Sequence, residues 1–132
     1  GAGRVVLKRG MGNGIVEWLG AREHILYKSD NTVVLCERGI VSHEASDPRI
    51  RWRPDILAIA QIKADHPDIP VILDCSHSTG RRDLVLPMAK AAIAAGADGL
   101  MIEVMADPDQ SMTDAAQGVN HEQFAKIMEA VL

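Results

Sequence analysis

The residues with the clearest chemical potential are one histidine and a group of carboxylates in the second half of the chain. His77 follows an apolar run and stands among charged groups. Glu103 lies within an apolar segment, where an unpaired carboxylate is costly. Three aspartates follow it: Asp107, Asp109 and Asp114. His77, Glu103 and one of these aspartates would form a mixed nitrogen and oxygen set, which suits a divalent first-row metal such as manganese, iron or zinc.

The two cysteines, Cys36 and Cys75, leave two interpretations open. Either thiol could complete the metal set, and either could equally be a small residue of the core. Two cysteines are too few for a disulfide scaffold, and the N-terminus has no apolar signal-peptide segment. We therefore expect a cytoplasmic protein.

Basic residues at the ends of the first two apolar runs could bind an anion. Lys8 and Arg9 precede a glycine-rich turn, so they indicate either a phosphate site or a solvated basic strand end, and the local sequence slightly favours the second. Glu37 and Arg38 must point to opposite faces of a strand. An inward-facing Arg38 could hold a phosphate or carboxylate, and a structural ion pair is an equal alternative.

Four continuous apolar runs must position these groups, at residues 5–7, 32–36, 71–73 and 100–102. Runs of this kind are typical of parallel strands covered on both faces. Each is followed by apolar residues at helical spacing, so the chain predicts the order βαβαβαβα and a parallel sheet.

Local signals predict where three of the helices begin. Pro54 suits a first helical turn, and Asn120 with Gln123 three residues later indicates a capping box. Thr79 and Gly80 are expected to open a helix. Arg81 and Arg82 could then bind an anion near its N-terminus.

The connections that leave the strands are longer than those that enter them. Residues 39–53 and 105–119 form long strand-to-helix connections, whereas the helix-to-strand connections are short. Active sites of α/β proteins lie at the carboxyl ends of the strands. The predicted site residues therefore fall where chemistry is expected.

Length and composition limit what the chain can be. It has 132 residues, 47% of them hydrophobic, and a formal net charge of −4. We expect one domain with a core, and neither nucleic acid nor a membrane as partner, because there is no basic stripe and no spanning apolar run. A full (β/α)8 barrel needs about 250 residues, so this length holds about half of one.

Several longer motifs indicate a family. The matching stretches are residues 7–11, 17–19, 35–40, 76–77, 79–85, 94–104, 107–108 and 113–114. In this order they resemble the C-terminal half of 3-deoxy-D-arabino-heptulosonate 7-phosphate (DAHP) synthase, of the shorter type related to 3-deoxy-octulosonate phosphate synthase. The resemblance implies that residues 1–132 are a single partial domain, made of the fifth to eighth units of a (β/α)8 TIM barrel.

The resemblance also implies a reaction and roles for five residues. The family condenses phosphoenolpyruvate with erythrose 4-phosphate in the shikimate route to aromatic amino acids, and it needs a divalent metal. His77, Glu103 and Asp114 correspond to three metal ligands. Lys8 and Arg38 correspond to contacts with phosphoenolpyruvate. Lys8 and His77 are the implied catalytic residues, with Lys8 taking part in proton transfer near the aldehyde.

Other features of the family are absent from this stretch or altered in it. The fourth metal ligand, a cysteine, and the segment that holds the sugar phosphate belong to the first half of the family's barrel. Within the matching half, Cys75 replaces a usual proline, Met105 replaces a usual histidine, and residues 115–116 are Ala-Ala instead of Gly-Pro. We therefore expect the 132-residue chain to be inactive alone.

Two other functions remain as alternatives. The octulosonate phosphate synthase branch uses arabinose 5-phosphate, and the sugar-binding segment that would distinguish it lies outside these residues. A non-catalytic half-barrel that serves as an assembly module is the second alternative. A half-barrel has two open sheet edges, so we expect homo-oligomers that pair through them.

Overall fold

The computed structural model describes residues 3–43, 47–50 and 52–132. In chain order its elements are β1 (Arg4–Lys8), α1 (Ile15–Lys28), β2 (Thr32–Glu37), β3 (Ile40–Val41), β4 (Trp52–Arg53), α2 (Ile56–Asp65), β5 (Val71–Asp74), α3 (Cys75–Thr79), α4 (Arg82–Ala94), β6 (Gly99–Met101), a 3-10 turn (Pro108–Gln110) and α5 (His121–Val131). No helix among these residues combines the length and the apolar character that a bilayer crossing requires.

The main sheet has four strands in the order β1-β2-β5-β6, and every neighbouring pair is parallel. A helix follows each strand before the next strand of the sheet begins. Four consecutive βα units are therefore present, as the sequence predicts. Because all four strands run the same way, their carboxyl ends meet at one edge of the sheet.

The register divides the strand residues between two faces. Lys8 pairs with Cys36 and Cys36 pairs with Ile72, so these side chains share what we call the open face. Asp74 pairs with Met101 on the same face. The residues in between point to the opposite side, which we call the helix face.

The hydrophobic core lies between the helix face and the helices. Its fully buried members include Leu35, Ile59, Leu73 and Val85. On the open face, Val6 is 48% exposed. Within the described residues, β1 and β6 each pair with one strand of the main sheet, so each leaves one edge unpaired.

The structure confirms the predicted start of one helix and shifts that of another. Asn120 forms the predicted capping box with Gln123, which confirms the start of α5. Pro54 does not lie in the first turn of α2. Asp55 caps that helix instead by accepting a hydrogen bond from the Ala58 N–H, so Pro54 precedes the cap.

The prediction that Thr79 and Gly80 open a helix is wrong. A short helix, α3, begins directly after β5, because the Asp74 side chain accepts the His77 backbone N–H as an N-cap. Gly80 ends this helix in the left-handed region, at φ +64°. α4 then begins at Arg82.

The long connection 39–53 contains a small antiparallel ladder that the hydrophobic pattern does not predict. Ile40 and Val41 of β3 pair with Arg53 and Trp52 of β4. Gly39 turns the chain at φ +94°, and a Cβ there would lie 2.6 Å from the Cβ of Trp52. Glycine is therefore required where β2 gives way to the ladder.

Candidate metal and anion site

The three predicted metal ligands lie together at the carboxyl ends of β5 and β6. One ligand atom each from His77, Glu103 and Asp114 falls within 4.8 Å of the others. His77 comes from α3, Glu103 from the segment after β6, and Asp114 from the long loop. Residues that are distant in sequence thus meet because two parallel strands end side by side.

Glu103 is held by its backbone from both sides. Its N–H donates to the Ser76 Oγ at 2.9 Å, and its carbonyl accepts the Val119 N–H at 3.0 Å. The Met105 N–H donates in turn to the Val119 carbonyl at 3.0 Å. The loop that carries Asp114 therefore leaves and rejoins the strand at almost the same place.

Asp114 adopts an uncommon backbone conformation inside this loop. It is the single non-glycine residue of the described chain with a positive φ, at 57°, a region that aspartate tolerates better than most residues. Its carbonyl accepts the Gly118 N–H at 3.0 Å, and its Oδ1 accepts the Gln117 Nε2 at 2.5 Å. These contacts fix the carboxylate of Asp114 close to Glu103.

One residue that belongs to the site was not predicted from the sequence. Asp74 is fully buried, and its Oδ2 accepts hydrogen bonds from the Lys8 Nζ at 2.7 Å and from the His77 Nδ1 at 2.8 Å. Its Oδ1 accepts the His77 N–H at 3.0 Å. Its position three residues before His77 at the end of a strand is the N-cap spacing, which could have revealed it.

A divalent metal fits the residues of this site. Glu103 Oε2 is buried and has no hydrogen-bond partner among the described residues. The His77 Nε2 lies 3.4 Å from Glu103 Oε1, so a nitrogen and carboxylate oxygens converge. Burial raises the pKa of Glu103, Asp114 and Asp74 add to the rise, and the neighbouring His77 and a hydrogen bond with Gln117 oppose it. A cation there would supply a partner for the Oε2 atom of Glu103.

Neither cysteine joins the ligand group that the described residues form. Cys36 and Cys75 are both fully buried, and burial is the main reason that the pKa of each thiol is raised to about 12. Metal ligation requires the thiolate. Of the two open interpretations, the structure favours the small core residue, and Cys75 packs within the main core cluster.

Lys8 lies next to the predicted metal ligands, and Arg38 lies against Trp52. The Lys8 side chain is 39% exposed, so its ammonium reaches both Asp74 and the open face. The Arg38 guanidinium lies over the Trp52 ring, 5.7 Å from the centroid, and its Nε is buried without a hydrogen-bond partner in the described chain. Within that part of the chain Arg38 forms no ion pair, whereas Glu37 pairs with Arg9, so the ion-pair alternative holds for Glu37 and not for Arg38.

The interpretation of Arg9 as part of a solvated strand end is wrong. Arg9 is only 5% exposed and pairs through its terminal nitrogen with Glu37 at 3.0 Å and with Asp55 at 2.8 Å. Although burial disfavours the guanidinium charge, the hydrogen bonds to Asp55 and Glu37 keep the pKa of Arg9 raised. The guanidinium also lies over the Trp18 ring.

Arg82 has a different role from the one expected for it. Its Nε donates to the Gly118 carbonyl at 2.6 Å, and a terminal nitrogen donates to the Ala115 carbonyl at 2.7 Å and to Asp109 at 2.8 Å. Arg82 therefore ties the loop of Asp114 to α4. Arg81, by contrast, pairs with the exposed Asp83.

Comparisons with known proteins agree with this architecture. The model of the DAHP synthetase I family matches residues 2–131. A phospho-2-dehydro-3-deoxyheptonate aldolase of Thermotoga maritima is 39% identical over 125 residues, which are 95% of this chain and 36% of that protein. The crystal structure of the DAHP synthase from Thermotoga maritima matches with a TM-score of 0.88 at 38% identity, covering 96% of this chain and 36% of the other.

A second group of relatives matches less well. A 2-dehydro-3-deoxyphosphooctonate aldolase of Desulfotalea psychrophila is 36% identical over 70 residues, which are 45% of this chain and 25% of that protein. The chain thus spans about a third of the DAHP relative and a quarter of this one. The predicted fold class, four consecutive βα units of a (β/α)8 barrel, is confirmed. The family match and the shared architecture together show that this chain belongs to the DAHP synthetase I family.

Proposed function

We propose that the chain is the C-terminal part of a DAHP synthase, an enzyme that joins phosphoenolpyruvate to erythrose 4-phosphate. The observation that carries this proposal is the convergence of His77, Glu103 and Asp114 within 4.8 Å, beside the ammonium of Lys8. A divalent cation and a phosphorylated carboxylic acid are the ligands that such a site would take together.

Each residue has a distinct part in this proposal. His77, Glu103 and Asp114 hold the metal, which when bound supplies Lewis acidity toward the aldehyde oxygen. Lys8 offers a charged Nζ on the open face, which binds an acidic group of phosphoenolpyruvate and moves a proton near the aldehyde. Arg38 offers a guanidinium for bidentate binding of phosphate, with Trp52 against its flat face.

A manganese titration tests the metal part of the proposal. We expect the 132-residue chain to bind Mn²⁺ weakly in an electron paramagnetic resonance titration, because the described residues gather three protein ligands. His77→Ala should abolish this binding. His24→Ala, at an exposed position on α1, is the matched control and should bind like the parent chain. Equal binding by both variants would contradict the proposal.

We further propose that the 132-residue chain does not turn over by itself. The sheet supplies four of the eight strands of a barrel, and the described thiols do not complete the metal set. Steady product formation by this chain with both substrates and Mn²⁺ would contradict this. The octulosonate branch is the weaker assignment, since a relative of that name that aligns over 83% of this chain is only 28% identical, whereas the DAHP relative is 39% identical over 95%.

The exposed face and edges of the sheet support self-association. An apolar groove of about 510 Å³ runs between β6 and α5, lined by residues that include Leu100, Phe124 and Met128. Two copies could join the β6 edge of each to the β1 edge of the other. We expect light scattering at micromolar concentration to give a dimer mass, and a well-folded monomer would contradict this pairing.

The free cysteines support a cytoplasmic location.

A further inference from the structure

We propose that Asp74 is a positioning residue whose carboxylate turns the Nε2 of His77 toward Glu103 and holds the ammonium of Lys8 beside it. The inference rests on the proposed function in one respect, since it takes His77 as a metal ligand. It goes beyond that function by assigning a role to a residue that binds neither metal nor substrate.

Three hydrogen bonds fix the orientation of the Asp74 carboxylate. The residue is fully buried at the end of β5. Oδ1 accepts the backbone N–H of His77, whereas Oδ2 is shared by the His77 Nδ1 and the Lys8 Nζ. A buried carboxylate with three charged or polar donors is satisfied only in this orientation. The same side chain thus fixes both the backbone and the ring of His77.

The contact at Nδ1 determines which ring nitrogen can bind a metal. A neutral imidazole carries one proton, and a carboxylate at one nitrogen favours the proton there. With the proton on Nδ1, the lone pair of Nε2 points to the side where Glu103 Oε1 lies 3.4 Å away. Asp74 therefore selects the tautomer that the predicted ligand set requires.

The shared oxygen also joins the two halves of the site. Lys8 belongs to β1 and His77 to α3, and β2 lies between β1 and β5 in the sheet. Asp74 Oδ2 is 2.7 Å from the Lys8 Nζ and 2.8 Å from the His77 Nδ1. The group proposed to bind phosphoenolpyruvate and the group proposed to bind metal are consequently held by one atom.

Asparagine cannot reproduce this arrangement. It has one oxygen, which either caps α3 or accepts from the His77 ring and Lys8. If the oxygen caps the helix, its NH₂ faces Nδ1 and drives the ring proton to Nε2. Serine separates the two roles, because it is a preferred N-cap but its hydroxyl ends one bond short of the carboxylate oxygen.

The test compares Asp74→Asn, Asp74→Ser and Lys8→Met in the 132-residue chain. Nitrogen-15 NMR of the metal-free protein at pH 9 reports the tautomer of His77, and a Mn²⁺ titration reports affinity. We expect the Nδ1–H form in the parent chain and in Lys8→Met, in which the carboxylate remains. Both Asp74 variants should shift the ring toward Nε2–H and weaken Mn²⁺ binding about 10- to 100-fold.

Two results would overturn the inference. One is a folded Asp74→Ser protein that keeps the Nδ1–H form, and the other is unchanged Mn²⁺ affinity in that variant. If Asp74→Asn does not fold by circular dichroism, Asp74→Ser still decides, because its cap is retained. If the parent chain binds no Mn²⁺, the metal part of the proposed function fails, whereas the tautomer measurement continues to test Asp74.

Discussion

Two ionic clusters lie at the same end of the sheet, on opposite faces, and they differ in how completely they are satisfied. The helix-side cluster consists of Arg9, Glu37 and Asp55, and the site cluster consists of Lys8, Asp74, His77 and Glu103. In the helix-side cluster, Glu37 accepts from the Gly39 N–H with one oxygen and from Arg9 with the other. In the site cluster, Glu103 Oε2 is buried without a hydrogen-bond partner in the described residues.

The contrast shows that neighbouring residues of one strand can belong to different clusters. Lys8 and Arg9 are adjacent, yet the alternation of side chains sends Lys8 to the open face and Arg9 to the helix face. Glu37 likewise belongs to the helix-side cluster, whereas Arg38 lies over Trp52. A closed cluster stabilises the fold, and an open one retains binding capacity for a ligand.

The largest expected effect separates the two clusters by stability. Arg9→Met leaves Glu37 buried without its cation, so we expect the free energy of unfolding to fall by about 3–5 kcal/mol. Lys8→Met should cost less, about 1–2 kcal/mol, because the ammonium is partly exposed and the buried Asp74 keeps its donors from His77. Urea unfolding followed by circular dichroism measures both. Equal losses would remove the distinction between the clusters.

A second prediction concerns Cys36, which lies on the open face but is as buried as the residues of the core. Because the pKa values of Cys36 and Cys75 are raised to about 12, almost no thiolate is present at pH 8. We expect iodoacetamide to label the native thiols about a thousandfold more slowly than those of the urea-unfolded chain, and faster as pH rises. Rapid native labelling of one cysteine would return that thiol to the candidate metal ligands.

The smallest effect tests how the site cluster depends on its loop. Arg82→Met removes the donors to the Gly118 and Ala115 carbonyls, so Asp114 should become mobile and Mn²⁺ affinity should fall about tenfold. Arg81→Met is the matched control, because Arg81 pairs with Asp83 and Asp47, which lie outside the loop of Asp114. A Mn²⁺ titration of both variants measures the effect. Indistinguishable affinities would show that Asp114 needs no such support.

Patterns that are local in sequence predicted most of the architecture. Continuous apolar runs indicated the four strands, and the apolar neighbours of Glu103 were enough to mark its carboxylate as unusual. The grouping of His77 with Glu103 followed because the carboxyl ends of parallel strands meet. Short stretches of sequence are therefore enough to predict which residues are buried and in what order the strands follow.

Partners that are distant in sequence could not be predicted in the same way. Arg9 meets Glu37 and Asp55 at separations of 28 and 46 residues, so its burial depends on tertiary packing that local sequence does not record. Asp74 was overlooked for a different reason. Its spacing from His77 predicts the N-cap, but nothing in the local sequence predicts its contact with Lys8, 66 residues away.

Backbone hydrogen bonds join Val119 to Glu103 and to Met105, and they affect how this site can change. They close the ends of the segment that carries Asp114, so its residues can change while the strand stays fixed, provided that the Ala115 and Gly118 carbonyls still reach Arg82. Each doubling of such a loop costs only about 0.6 kcal/mol in closure entropy. The proposed third ligand, Asp114, therefore lies on a loop that can be exchanged. A different donor, and with it a different metal preference, can be introduced by grafting a loop without moving His77 or Glu103.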